Sequence, residues 1–120
     1  MTTPPGTTPS GRPLGCVFCA IVAGESPGNI RYEDEAVIVF DNVLRWAPLM
    51  LLAAPREHMS QEEMWASGVI ARVGSVAVQM GKEHSPMGFR LLSNLGHAAM
   101  QSQHHAHLHI IGGAYLGPYA

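Results

Sequence analysis

His105-Ala106-His107-Leu108-His109-Ile110-Ile111 is the stretch whose reading decides the fold. In an extended strand successive side chains point to opposite faces, so His105, His107 and His109 share one face. Ala106, Leu108 and Ile110 take the other, which is apolar and bound for a core. Same-face neighbours stand ~6.5–7 Å apart and the outer pair ~13 Å, so three such imidazoles cannot close on one ion from a flat strand. Two neighbours can reach one tetrahedral phosphate. A division of roles follows. A neutral imidazole, with an ordinary pKa near ~6.5, is a competent nucleophile at pH 7. A second can hydrogen-bond the phosphate oxygens as charge develops on them. The competing reading is a His-rich solvated strand or an adventitious metal site.

Working outward, Phe89–Ser93 pairs with His104–Ile111 as a hairpin, closed by Gly112-Gly113. Ala36–Asn42 and Ala47–Ala54 are short apolar runs separated by a turn, a second antiparallel hairpin. Between the hairpins, Ser60-Gln61-Glu62-Glu63 fits a capping box. Behind it Trp65, Val69, Val73, Val76, Ala77 and Met80 recur at helical spacing, which predicts one amphipathic helix over about 60–82. Phe18, Ile21 and Val22 mark one face of a short helix ended by Gly24. Short connections between like elements predict an α+β domain.

Composition bounds the rest. The 120 residues suit one domain, 47% hydrophobic and 13% charged. Residues 1–14 hold four of the nine prolines and read as a disordered tail, leaving 15–120 as the domain. No apolar run reaches the ~18 residues of a membrane span, and the N-terminus lacks the form of a secretory signal. Seven Lys+Arg against nine Asp+Glu leave a net charge of −2 with no basic stripe, which argues against nucleic acid as a partner. A phosphate ligand would have to be held by His, hydroxyl and backbone donors. Both cysteines, Cys16 and Cys19, lie in a C-x-x-C. That points to metal or redox chemistry in a reducing, cytoplasmic setting.

The His105–Ile111 pattern, three histidines alternating with apolar residues, resembles the signature of the histidine triad (HIT) family. Phe18, "AIVAGE" (20–25), "YEDEAVIVF" (32–40), "PREH" (55–58), "LLSN" (91–94) and "QSQHHAHLHIIGG" (101–113) fall in family order. The likeness runs from about Cys16 to the C-terminus. Gly112-Gly113 with Leu116-Gly117-Pro118 looks most like the Hint branch, the nucleoside phosphoramidases. The resemblance implies a five-stranded antiparallel sheet with one long and one short helix, paired into a homodimer through the long helix. It implies a hydrolase or transferase acting on the α-phosphate of nucleoside 5′-monophosphate derivatives through a covalent nucleotidyl-histidine. His107 would be the nucleophile and His109 would contact the phosphate. Asn94, Gln101 and Ser102 would supply phosphate donors. Val17, Phe18, Ile21, Phe40, Asn42 and Val43 would line the base and ribose slot, although Ile21 and Phe40 read equally well as plain core. Cleavage of dinucleoside polyphosphates is the alternative within the family.

Cys16, Cys19, His58 and His105 make a Cys2His2 set that suits a tetrahedral, structural zinc. Some family members carry zinc on a similar set. The plainer reading is two reduced cysteines and two satisfied histidines. A thioredoxin-like pair is disfavoured because no strand precedes Cys16. Three positions depart from the family pattern. Met50 stands where a His is usual, Asn42 where an Asp contacts ribose, and Ala99-Met100 where Gly-Gly precedes the Gln. Arg45-Trp46 also replaces a smaller turn. Met50 and Met100 give substance to a rival, a nucleotide-binding or zinc-stabilised interaction module with little turnover. A metal-handling protein is a more distant one.

Overall fold

The computed structural model describes residues 15–118. The tail predicted over 1–14 therefore lies outside the described residues, as do 119–120. Helix α1 (Val17–Val22) is followed by strands β1 (Ile30–Glu33), β2 (Val37–Asp41) and β3 (Leu49–Pro55). Helices α2 (Gln61–Ala66) and α3 (Ile70–His84) come next, then β4 (Phe89–Leu92), a 3-10 turn (His97–Ala99) and β5 (Leu108–Gly112). The strands form one five-stranded sheet in the order β1-β2-β3-β5-β4 with every pair antiparallel, the expected α+β architecture.

Both hairpin runs form strands, and their period-two pattern explains the layering. Val37, Val39, Leu51, Ala53, Ala106, Leu108 and Ile110 pack against Met64, Val73, Val76, Ala77 and Met80 of the helices. The opposite faces of β2 and β3, Ile38, Phe40, Leu52 and Ala54, pack against Phe18 and Ile21 of α1. Alternation thus places the long helix on one side of the sheet and the triad histidines on the other.

Two expectations change in detail. The helix predicted over 60–82 is two helices, so the described fold has three rather than two. Ser60 does cap it, its hydroxyl accepting from the Glu63 amide. The chain then leaves the helix at Ser67, and Gly68 adopts φ +86°, a left-handed conformation that favours glycine. Apolar periodicity continues across this break, which is why the pattern read as one element. Trp65, counted with the core stripe, is half exposed and donates its indole N–H to Ser93 Oγ.

The second change concerns the histidine strand, which pairs only from Leu108 onward. His105 lies in a bend and His107 in unpaired chain before it. The ladder to β3 ends at Ala53↔Leu108 and that to β4 at Leu92↔His109. The Ala106 amide donates instead to the Met59 carbonyl at 2.8 Å.

Gly81 serves packing within α3, which runs on to His84. A Cβ there would stand 2.3 Å from the Phe89 ring. In a free helix Gly81→Ala would gain ~1 kcal/mol. Here we expect the clash to win and lower stability by about 1–3 kcal/mol. Urea denaturation checks this, and an unchanged or higher midpoint would contradict the close approach.

Candidate functional site

Two sites share the segment 105–107. The first is built by the N-terminus of α1, the loop after β3 and His105. Cys16 ends the loop before α1, and Cys19 lies one turn later on the same face. The Cys19 amide donates to Cys16 Sγ at 3.4 Å. His105 Nδ1 stands 3.6 Å from Cys16 Sγ and 3.5 Å from Cys19 Sγ, and His58 Nδ1 stands 3.4 Å from Cys19 Sγ. The four donor atoms lie within 4.8 Å of one another, so this set can hold a metal ion. His105 Nε2 lies 2.7 Å from the Pro55 carbonyl, an acceptor only. The proton must therefore sit on Nε2, which leaves the Nδ1 lone pair facing the thiols. Burial pushes the His105 pKa down to about 4, against the Pro55 hydrogen bond, so the ring is neutral as a ligand must be.

The second site begins two residues on. His107 is buried, and its Nδ1 lies 2.8 Å from the His105 carbonyl. By the same logic the proton sits on Nδ1, and Nε2 carries the free lone pair. Desolvation lowers the His107 pKa and keeps the ring unprotonated at neutral pH. The Phe18 ring meets it edge-on with centroids 5.1 Å apart. His109 lies on the other side, its ring centroid also 5.1 Å away. Its pKa is pushed down to about 4, first by burial and then by His107.

Both rings open on a cleft of about 870 Å³, large enough for a nucleotide-sized ligand. Val17, Phe18, Ile21, Phe40, Asn42, Val43 and Ser102 all line it, together with His107 and His109. Asn42 is buried and its Oδ1 accepts from the Leu44 amide. Asn94 and Gln101 are not among the lining residues. Gln101 bridges its own loop, accepting from the Gly96 amide and donating to the Gln103 carbonyl. The Asn94 carbonyl accepts from Gln61 Nε2. Met100 adopts φ +65°, ψ 31°, so the backbone shape a glycine would take readily is kept by a methionine with an exposed side chain. Met50 packs with Ala47, Ile111 and Leu116.

Several contributors were not apparent in the sequence. Asp41 lines the cleft, because the strand ends there and Asn42 is already loop. Its carboxylate accepts from Asn29 and Arg31, and Arg45 Nη2 lies 3.4 Å away, so two arginines share one carboxylate. Pro27, Gly28 and Gln103 also line the cleft. Gln61, read only as part of a capping box, is fully buried against the His107 backbone. Its helix-start position gave no sign of this, since the contact spans 46 residues.

Comparison with known proteins agrees with the geometry. The family profile for the scavenger mRNA decapping enzyme C-terminal binding domain matches residues 15–119. Protein hit of Bacillus subtilis is 33% identical over 100 residues, covering 80% of this chain and 69% of its own length. Protein HitA of Neisseria gonorrhoeae is 31% identical over 104 residues, covering 81% and 94%. A HIT family hydrolase from Clostridium thermocellum superposes with TM-score 0.81 at 32% identity over 88% of this chain and 96% of its own. A histidine triad protein from Clostridium difficile gives TM-score 0.81 at 30% identity, covering 89% and 97%.

Desolvated histidines make stability depend on pH. His109 titrates near about 4 in the folded chain against 6.5 for the free side chain. Between those values the unfolded chain binds a proton that the folded chain refuses, so the contribution is complete above pH 6.5 and is lost as pH falls toward 4. His58 and His107, also lowered by burial, act in the same direction. Urea midpoints should fall between pH 7.5 and 5, with a shallower fall in His109→Gln. Equal slopes in the two proteins would contradict a desolvated His109.

Proposed function

This chain belongs to the histidine triad family, and we propose that it is a nucleotide hydrolase acting on nucleoside 5′-phosphoramidates with His107 as nucleophile. The observation that carries this reading is the His107 hydrogen bond to the His105 carbonyl, which leaves Nε2 as a free base at the wall of a nucleotide-sized cleft. Nε2 attacks phosphorus and the P–N bond breaks, the amine leaving with a proton from solvent. A nucleotidyl-imidazole results, in which both ring nitrogens are substituted and the positive ring is held by its Nδ1–H to the carbonyl. Water then attacks the same phosphorus, releasing the nucleoside monophosphate and restoring His107. A neutral His109 and the Ser102 hydroxyl, both lining the cleft, would donate to the phosphate oxygens. Phe18, Ile21, Phe40 and Leu52 offer an apolar slot for the base.

We further propose that the Cys2His2 set holds zinc. Zinc–ligand lengths of ~2.3 Å to sulfur and ~2.0 Å to nitrogen put tetrahedral S···N neighbours about 3.5 Å apart. The spacings of 3.4–3.6 Å fit that arrangement. Four protein ligands close the shell, so zinc would supply structural fastening rather than reaction chemistry. It would tie α1, and with it Phe18, to the segment carrying His107. On this reading the protein works in a reducing, cytoplasmic compartment as a homodimer. The outer strand β4, with Leu91 and the neighbouring Met87 and Val78 exposed, supports pairing through that edge and α3. No described helix is long and apolar enough to cross a membrane.

Two measurements check these proposals. Adenosine 5′-phosphoramidate should release AMP, with His107→Ala reducing kcat by at least ~10³-fold. AMP binding without turnover in the unmodified protein would instead favour the binding-module reading and turn attention to Met50 and Met100. Elemental analysis should find about one zinc per chain, absent from Cys19→Ser, whose melting temperature should fall by about 8 °C or more. A metal-free protein with the same melting temperature as the variant would contradict the structural zinc.

A further inference from the structure

Gln61 is buried at the start of α2 and makes no contact with the cleft. Its amide is nonetheless fully committed. Oε1 accepts from the His107 amide at 3.2 Å, while Nε2 donates to the His107 carbonyl at 3.1 Å and to the Asn94 carbonyl at 3.2 Å. The amide cannot be flipped, because that would face its NH2 to an N–H and its oxygen to two carbonyls. This pair of bonds to one residue is what a neighbouring strand would make. His107 lacks such a neighbour, since both ladders of β5 stop short of it, at Leu108 and His109.

We propose that Gln61 is a positioning residue for the nucleophile, a side-chain substitute for the missing strand that fixes the His107 backbone and ties it to the Asn94 loop. This rests on His107 acting as proposed above. The clamp sets where the His107 ring stands relative to the His105 carbonyl, and hence which ring nitrogen carries the proton. Few other side chains fit the role. Asn is a methylene shorter, by ~1.5 Å. Glu keeps the shape but faces two carbonyl oxygens with no proton to donate, and Met keeps the length with neither donor nor strong acceptor.

The test compares Gln61→Glu and Gln61→Met with the unmodified protein, using kinetics with adenosine 5′-phosphoramidate, AMP affinity and long-range 1H–15N NMR of the histidine rings. Activity is normalised to the folded fraction by circular dichroism, and the Met variant serves if the Glu variant does not fold. We expect kcat to fall about 10- to 100-fold, the loss a ~1 Å misplacement brings, with KM and AMP affinity within about threefold. The His107 ring should change from one Nδ1–H tautomer to a mixture. If the folded variants keep kcat and the single tautomer, Gln61 is structural only and the inference fails. Parallel loss of kcat, AMP affinity and fold would also overturn it. If the unmodified protein does not turn over the phosphoramidate, the proposed reaction fails. The tautomer still decides the clamp: a mixture in the variants supports it and an unchanged single tautomer refutes it.

Discussion

The backbone around His105 is the constraint on which the rest of the site depends. One residue serves both centres with different atoms. Its ring stands between the Pro55 carbonyl and the two thiols. Its carbonyl accepts the His107 Nδ1–H at 2.8 Å. Each bond fixes a proton on one nitrogen and frees the other, toward the thiols in His105 and toward the cleft in His107. Displacing this segment would disturb the cysteine–histidine set and the His107 ring together. That coupling explains why so many fastenings converge on residues that no strand ladder holds: Met59 on Ala106, Gln61 on His107 and the cysteine cluster on His105.

Burial does the electrostatic work. Among the described residues no carboxylate partners the His107 ring. A carbonyl acceptor orients it, and desolvation keeps it unprotonated. On the proposed reaction this suits a nucleophile better than an ion pair would, since a paired carboxylate would favour the protonated ring at neutral pH. Charge is instead gathered at Asp41, whose carboxylate meets Arg31 and Arg45. The cleft thus combines apolar lining from Phe18, Ile21, Phe40 and Leu52 with polar lining from His107, His109 and Ser102, which agrees with a ligand that carries both a base and a phosphate.

The alternation of histidine and apolar residues over 105–111 was enough to predict a strand with one histidine face and one core face, while the five-stranded sheet followed from the family resemblance. The two hairpins and the Cys16–Cys19–His58–His105 set were legible for the same reason, because residue type and spacing carry that information directly. Other features were not. The break at Gly68 hides in a sequence whose apolar period runs straight through it, since a left-handed turn between two helices leaves the buried stripe in place. The late start of β5, at Leu108, was also invisible, because Ala106 faces the core and His107 the cleft although no neighbouring strand pairs with them. Gln61 was hidden because its helix-start position already accounted for a polar residue. Only the tertiary approach of α2 to residue 107 shows why that residue is an amide.

The central claim is that His107 Nε2 forms a bond to phosphorus. It is tested most directly by mixing the protein with adenosine 5′-phosphoramidate, quenching rapidly in alkali and mapping the chain by mass spectrometry. The account predicts the mass of one adenylyl group on the peptide containing His107, appearing and decaying at rates consistent with turnover. AMP release with no modified peptide at any time, or with the adenylyl group on a different residue, would contradict it.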